Sequence, residues 1–400
     1  MNDWSDLPTM TCRVCDTDVP AGAFCGLCGA DLTPQHGDGP DWLRLRTFAA
    51  APGERVLRPA VASSLFPQLP QTSRTPFRLG LAALALTLAV FALLRWQAPM
   101  IAVAALGLPV SFLIYLYETG GWQDLPARML TIGTVLGVTL GVGWALLTGP
   151  VAARSYGFAL GTGMTGQNVL LVGLAIPLGV ALLMVVPVIV GRMLRPAIRE
   201  SLDGFLIGAL GAACFTAAAT LTRLAPQFTT GTVSQDRPVI GLIVQAGVHG
   251  VALPVIATAV GGVVGVALWF QRRPDTSRRD RWAGPGILVA GLLTPLVAYA
   301  ALGLTDVARI PQGVRLGLYL LITALVLLAL RVVLQTALLH ERHDQPPPNE
   351  PLLCPQCNHV VPDMAFCPSC GAATQASSRS SRAARRLTRP VPTDGPTAGS

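Results

Sequence analysis

An all-α polytopic membrane fold of about eight transmembrane helices is what this sequence predicts, on three observations. The 400 residues are 52% hydrophobic and only 12% charged, with a mean hydropathy of +0.54. A soluble domain has too little interior to hide that much apolar surface. The charges gather between long apolar runs, each near or above the roughly 20 residues that cross a bilayer as a helix. The basic residues, 29 in all and every one arginine, fall mainly in alternate connections between those runs.

The spans are placed at 77–95, 99–117, 129–149, 168–191, 201–222, 243–270, 285–304 and 315–339. Arg95 to Pro99 forms the turn between the first two. The sixth has two readings, because apolar residues run from Pro238 to Phe270 with Pro254 inside. A tilted or broken helix fits, and so does a re-entrant piece followed by a span. The N-terminus, Met1-Asn2-Asp3-Trp4, is acidic and leads into no apolar stretch, so no signal peptide is expected.

Eight spans put both termini on one side, and the arginines select which. One set of loops carries Arg95, Arg154, Arg223, Arg237, Arg309 and Arg315. The other carries Arg128, then Arg192, Arg195 and Arg199, then Arg272, Arg273, Arg278, Arg279 and Arg281. Arg342, Arg379, Arg382, Arg385, Arg386 and Arg389 follow the last span. The richer set belongs to the cytosol by the positive-inside rule, which makes both termini cytosolic. The same rule accounts for the net charge of +8 without nucleic acid as a partner.

Small residues recur at four-residue spacing in three spans: Gly133, Gly137 and Gly141; Gly204 and Gly208; Gly261 and Gly265. Such faces let helices approach closely. They are read as packing surfaces of one bundle, with one of them open to a homo-oligomer contact. Residues 36–76 read as a linker whose Trp42, Leu43 and Leu45, interleaved with Arg44 and Arg46, could lie on the lipid interface. Residues 341–350 read as a second linker. The Ser-, Arg- and Pro-rich stretch from 374 to 400 is expected to be disordered.

Eight of the nine cysteines form two tetrads. Cys12, Cys15, Cys25 and Cys28 lie in residues 1–35; Cys354, Cys357, Cys367 and Cys370 lie in 351–373. Each tetrad is two CxxC turns, and two such knuckles facing one another complete a tetrahedron of sulfurs around Zn²⁺. Four thiolates leave no open position, so the two zincs are expected to be structural. A glycine follows the last cysteine of each, Gly29 and Gly371, and both share an Ala-Phe-Cys step with Phe24 or Phe366 as the cap of a small core. A redox CxxC pair has no reason to come as paired knuckles at identical spacing, while iron in place of zinc stays open. His36 and His359 are nearby, but each tetrad is complete without them. Thiolate ligands need a reducing compartment, which agrees with cytosolic termini.

These modules resemble the short zinc ribbons at the ends of many bacterial membrane and regulatory proteins, which implies a bacterial plasma membrane. Such ribbons fold on metal and present small rigid surfaces. With little basic charge around the tetrads, a protein partner, or pairing of the two ribbons with each other, is favoured over nucleic acid.

Within the spans, Tyr115-Leu-Tyr117-Glu118 with Asp124-Leu-Pro126, the stretch Ser201-Leu-Asp203-Gly204, and Val248-His249-Gly250 resemble motifs of the PrsW family of intramembrane proteases, over roughly residues 105–270. The resemblance implies a glutamate pair after Pro187 and another glutamate near 219. This chain has Val190, Gly191 and Ala219 there. Activating water requires a basic side chain, and neither Val, Gly nor Ala supplies one. The expectation is therefore a relative without the catalytic groups, with His249 as a packing residue. It would be a non-catalytic membrane scaffold or regulator using its ribbons for protein interaction, with an intramembrane peptidase or a transporter or channel subunit as the alternatives.

Overall fold

The computed structural model describes residues 8–33, 39–67, 69, 71–157, 170–194, 199–229, 238–273, 282–308, 310–342 and 350–389. His36 and the loop arginines Arg195, Arg237, Arg278, Arg279, Arg281 and Arg309 lie outside them. Among the described residues, eight helices are long and apolar enough to cross a membrane: Ser73–Leu93, Gln97–Glu118, Ala127–Val151, Leu171–Met193, Ser201–Leu224, Val239–Trp269, Ala283–Val307 and Gln312–His340. Their placement agrees with the sequence because a backbone in hydrocarbon has to satisfy its own hydrogen bonds, and the apolar runs leave helix as the one local solution.

In chain order the helices are α1 (Val61–Leu65), α2 (Gln71–Leu93), α3 (Gln97–Glu118), α4 (Gly121–Asp124), α5 (Ala127–Gly157), α6 (Ile176–Met193), α7 (Ser201–Leu224), α8 (Pro226–Thr229), α9 (Val239–Gln245), α10 (Leu253–Trp269), α11 (Ala283–Val307), α12 (Gln312–His340) and α13 (Arg379–Leu387). The sixth span is one continuous helix in which α9 passes into α10 through a π-helical segment, Ala246–Ala252. A shorter π segment, Leu171–Ala175, precedes α6. Both lie just ahead of a proline, Pro254 and Pro177. A proline cannot donate to the carbonyl one turn back and crowds it, so the helix widens there instead of breaking.

The bundle is built around α7 and α10, whose spans are 83% buried, whereas that of α2 is 11% buried and stands at the periphery. Glycine makes this centre possible. A methyl at Gly208 would overlap the Gly261 carbonyl, and one at Gly204 the Gly265 carbonyl. On the opposite face of α7, Gly137 and Gly141 of α5 lie against the carbonyls of Gly211 and Phe215. These close approaches gain dispersion contact where water offers no driving force. They also correct the homo-oligomer reading: the glycine faces are consumed inside the chain, so a second copy would have to use another surface.

Two further expectations are corrected. The segment placed in the 36–76 linker contributes to the core, with Phe48, Val56, Leu65 and Phe66 buried. Two polar side chains of α12 hold it in place. Gln335 accepts from the Ala49 N–H at 2.8 Å and donates to the carbonyls of Leu43, Arg44 and Thr47. Arg331, fully buried, donates to Arg58 O and Ser63 Oγ, pairs with Glu54 at 3.1 Å and lies 4.3 Å over the Phe48 ring. Nor is the start of the 374–400 tail without structure: a 3₁₀ turn, Thr374–Ala376, leads into α13.

Candidate functional site

Each cysteine module starts from a two-stranded antiparallel hairpin of three-residue strands. In the N-terminal ribbon β1 (Thr9–Thr11) pairs with β2 (Asp18–Pro20); in the C-terminal ribbon β3 (Pro351–Leu353) pairs with β4 (Val360–Pro362). The first knuckle turns back when Asp16 N–H donates to Cys12 O and, in the other ribbon, Asn358 N–H to Cys354 O, both 2.8 Å. Asp16 and Asn358 take positive φ values of 53° and 56°, which Asp and Asn tolerate better than most residues. The second knuckle closes through Gly29 and Gly371, at φ of 68° and 76°, where glycine carries no steric penalty.

All eight predicted cysteines are thereby brought together as two tetrads, with the sulfurs of each within 4.8 Å of one another. Cys12 and Cys28 Sγ are 3.7 Å apart and Cys15 and Cys25 3.8 Å; the corresponding C-terminal pairs, Cys354 with Cys370 and Cys357 with Cys367, are 3.8 and 3.9 Å apart. A tetrahedron with metal–sulfur bonds of about 2.3 Å has edges of about 3.8 Å. The spacing is that of a metal-binding cage, and disulfide bonding would need sulfurs about 2 Å apart.

Without a metal, the C-terminal sulfurs share protons: hydrogen bonding among them holds Cys354 below the usual thiol range and pushes Cys367 and Cys370 above it. In the other ribbon the hydrogen bond with Cys25, then burial, raises Cys28. Four thiolates this close repel one another, and a dication is the group that lets all four ionise. His359 contributes its carbonyl to Cys354 N–H, consistent with a cage that needs no fifth ligand.

The two ribbons pair with each other through a local pseudo-twofold exchange. Phe24 N–H donates to Pro368 O and Phe366 N–H to Gly26 O, both 2.9 Å. Each phenylalanine ring covers the other ribbon's cage glycine: a Cβ on Gly29 would come within 2.6 Å of Phe366, and one on Gly371 within 2.9 Å of Phe24. The aromatic caps predicted to close their own modules instead cross over. No protein family, curated protein or solved structure matches this chain.

The paired head is stitched to one end of the bundle. Ala373 N–H donates to Ala49 O, the Arg44 guanidinium to Cys28 O, Arg273 to Leu27 O and Arg74 to Gln356 Oε1. Below it, Glu341 is buried and takes the Ser201 N–H at 2.7 Å; burial raises its carboxyl to about 8.

The acids singled out in the protease-like motifs separate into different places. Glu118 accepts from Ser73 Oγ at the ribbon end of an open groove of about 740 Å³ between α2 and α3. Asp124 and Asp203 come together, with Glu200, around the arginines of α13. His249 lies in the π segment towards the far end of the bundle. Asp306 accepts from Arg315 at 2.7 Å and from Tyr319 at 2.6 Å. Sequence reasoning missed the pairing of Arg379 with Asp203 and of Arg382 with Glu200 because each pair is more than 170 residues apart. The signal that was present is the density of arginine in 379–389.

Proposed function

We propose that the chain is a non-catalytic membrane scaffold or regulator whose two structural zinc centres make one cytosolic platform for a protein partner. The observation that carries this reading is the pairing of the ribbons into a single head, joined to the bundle through Arg74, Arg273 and α13. A head fixed in this way can convey the state of the spans to a soluble partner, or the reverse. The tetrahedral spacing of the sulfurs suits zinc and iron alike, and the resemblance to short zinc ribbons is the ground for zinc. The arginine distribution and the thiolate chemistry support a cytosolic head. Residues Cys12, Cys15, Cys25 and Cys28 would hold one ion and Cys354, Cys357, Cys367 and Cys370 the other.

An intramembrane peptidase of PrsW-like type is the second reading, on the resemblance around Val248-His249-Gly250. The positions of the family's glutamates are Val190, Gly191 and Ala219. The test is purification of the full chain from native membranes with elemental analysis and identification of co-purifying proteins. About two zinc per chain, and a partner lost when Cys12 and Cys15 are changed to Ser, is the expected result. Fewer than about one metal per chain, or a membrane substrate that accumulates uncleaved in the His249→Gln variant, would overturn the reading.

A further inference from the structure

The arginine helix at the end of the chain divides its contacts between the bundle and one ribbon. Its first turn sits on the bundle: the Asp124 carboxylate takes the N–H groups of Arg379 and Ser380, and Ser378 Oγ caps the helix while donating to Thr119 O. Arg379 pairs with Asp203 at 2.7 Å, and Arg382, itself buried, pairs with Glu200 at 2.6 Å. Its second half sits on the C-terminal ribbon: Arg386 and Arg389 both pair with Asp363, which is buried, and Arg389 also meets Glu350. Arg385 lines the same small cavity as Cys354 and Cys367.

We propose that α13 is a latch whose seat in the cleft of Asp124, Glu200 and Asp203 is controlled by metal at the C-terminal cysteine centre, so that metal loss frees this cleft for an arginine-bearing helix of a partner protein. The inference rests on the reading that this tetrad holds zinc. Asp363 is held by donating its N–H to Glu350 O beside the β3–β4 hairpin, and a hairpin of three-residue strands does not persist without its metal. When it opens, Arg386 and Arg389 lose their shared carboxylate partner together. Nine residues are too few to stay helical alone, and the first turn then has only its own contacts to hold it.

The cleft left behind has a defined chemistry. Glu200, Asp203 and the neighbouring Glu341 are buried carboxylates, and Asp124 is placed to take two consecutive backbone N–H groups. It fits the N-terminus of a helix with arginine at its first and fourth positions, as Arg379 and Arg382 show. The N-terminal ribbon, though alike in sequence, is tied instead through Arg44 and Arg273. Coupling is reciprocal, so a seated latch also tightens the C-terminal centre's hold on its metal.

The test follows hydrogen exchange of residues 379–389 in the full chain in phospholipid nanodiscs, with zinc content measured on the same samples. Zinc-loaded protein should protect this segment; chelation should speed its exchange roughly tenfold or more, and restored zinc should reverse the change. The Glu200→Gln, Asp203→Asn double variant leaves every ligand in place. It should exchange fast even with zinc present and surrender one of its two zincs to a chelator more readily than wild type. Unchanged exchange at 379–389 after a measured loss of zinc would refute the latch, as would wild-type zinc retention in the double variant. Protein that holds no zinc at all would instead strike the reading of the tetrads.

Discussion

Changing Gly371 to Ala tests whether the two ribbons are one unit. At φ of 76° an alanine takes on left-handed strain of about 1–2 kcal/mol. Its Cβ would also lie 2.9–3.0 Å from three atoms of the Phe24 ring. Such overpacking adds about 1–3 kcal/mol, so the variant should lose about 2–5 kcal/mol in all. Because the strain falls at the metal cage, it is read as faster zinc transfer to a chromophoric chelator and a lower melting temperature of the head. Adding Phe24→Ala removes the ring but leaves the strain, so the double variant should lose less than the sum of the two single changes by the overpacking share, about 1–3 kcal/mol. Gly371→Ala indistinguishable from the parent, or strict additivity of the two changes, would refute the crossed packing of the rings.

Three other outcomes are expected. Glu341 has a folded-state pKa of about 8, above its ordinary 4.5, through burial. Its stabilising contribution is complete below pH 4.5 and is lost as pH rises through 8, a fall on the order of 5 kcal/mol at most. Glu341→Gln should flatten this limb of a pH–melting curve, and an unchanged slope would count against it. Arg331→Ala strands the carbonyl, hydroxyl and carboxylate groups that Arg331 binds, and should destabilise by about 3 kcal/mol, the low end for a broken buried pair because Glu54 keeps Arg78 at 2.8 Å. Limited proteolysis between residues 43 and 66 is the readout. His249→Gln should leave fold and cellular function intact and His249→Leu should lose about 1 kcal/mol of stability; abolished function at normal protein level in both would restore a catalytic role.

Much of this protein is legible in one dimension because the governing chemistry is local. A run of apolar residues has to become a helix in lipid, whatever surrounds it, so the eight spans were placed within a few residues. CxxC turns with nine residues between them dictate which sulfurs meet, so both tetrads followed from spacing alone. Pro254 announced an irregularity in the sixth span, and the structure shows the helix widened there, packed against α2, α3 and α12.

The sequence by itself therefore determined the spans, the two metal cages and the glycine faces. Tertiary structure alone decided what those parts touch. Phe24 and Phe366 give no sign of whose glycine they cover, because a small apolar cap serves its own module or its neighbour's equally well. Gln335 and Arg331 read as polar interruptions in a span until Leu43–Ser63 is wrapped over them and supplies carbonyls and Glu54. The arginines of 379–389 have the composition of a disordered tail. They fold because Asp124, Glu200, Asp203 and Asp363, scattered over 240 residues, converge on them. Charge pairing of that kind acts through space between groups whose separation along the chain carries no information, and only the folded bundle brings them within reach.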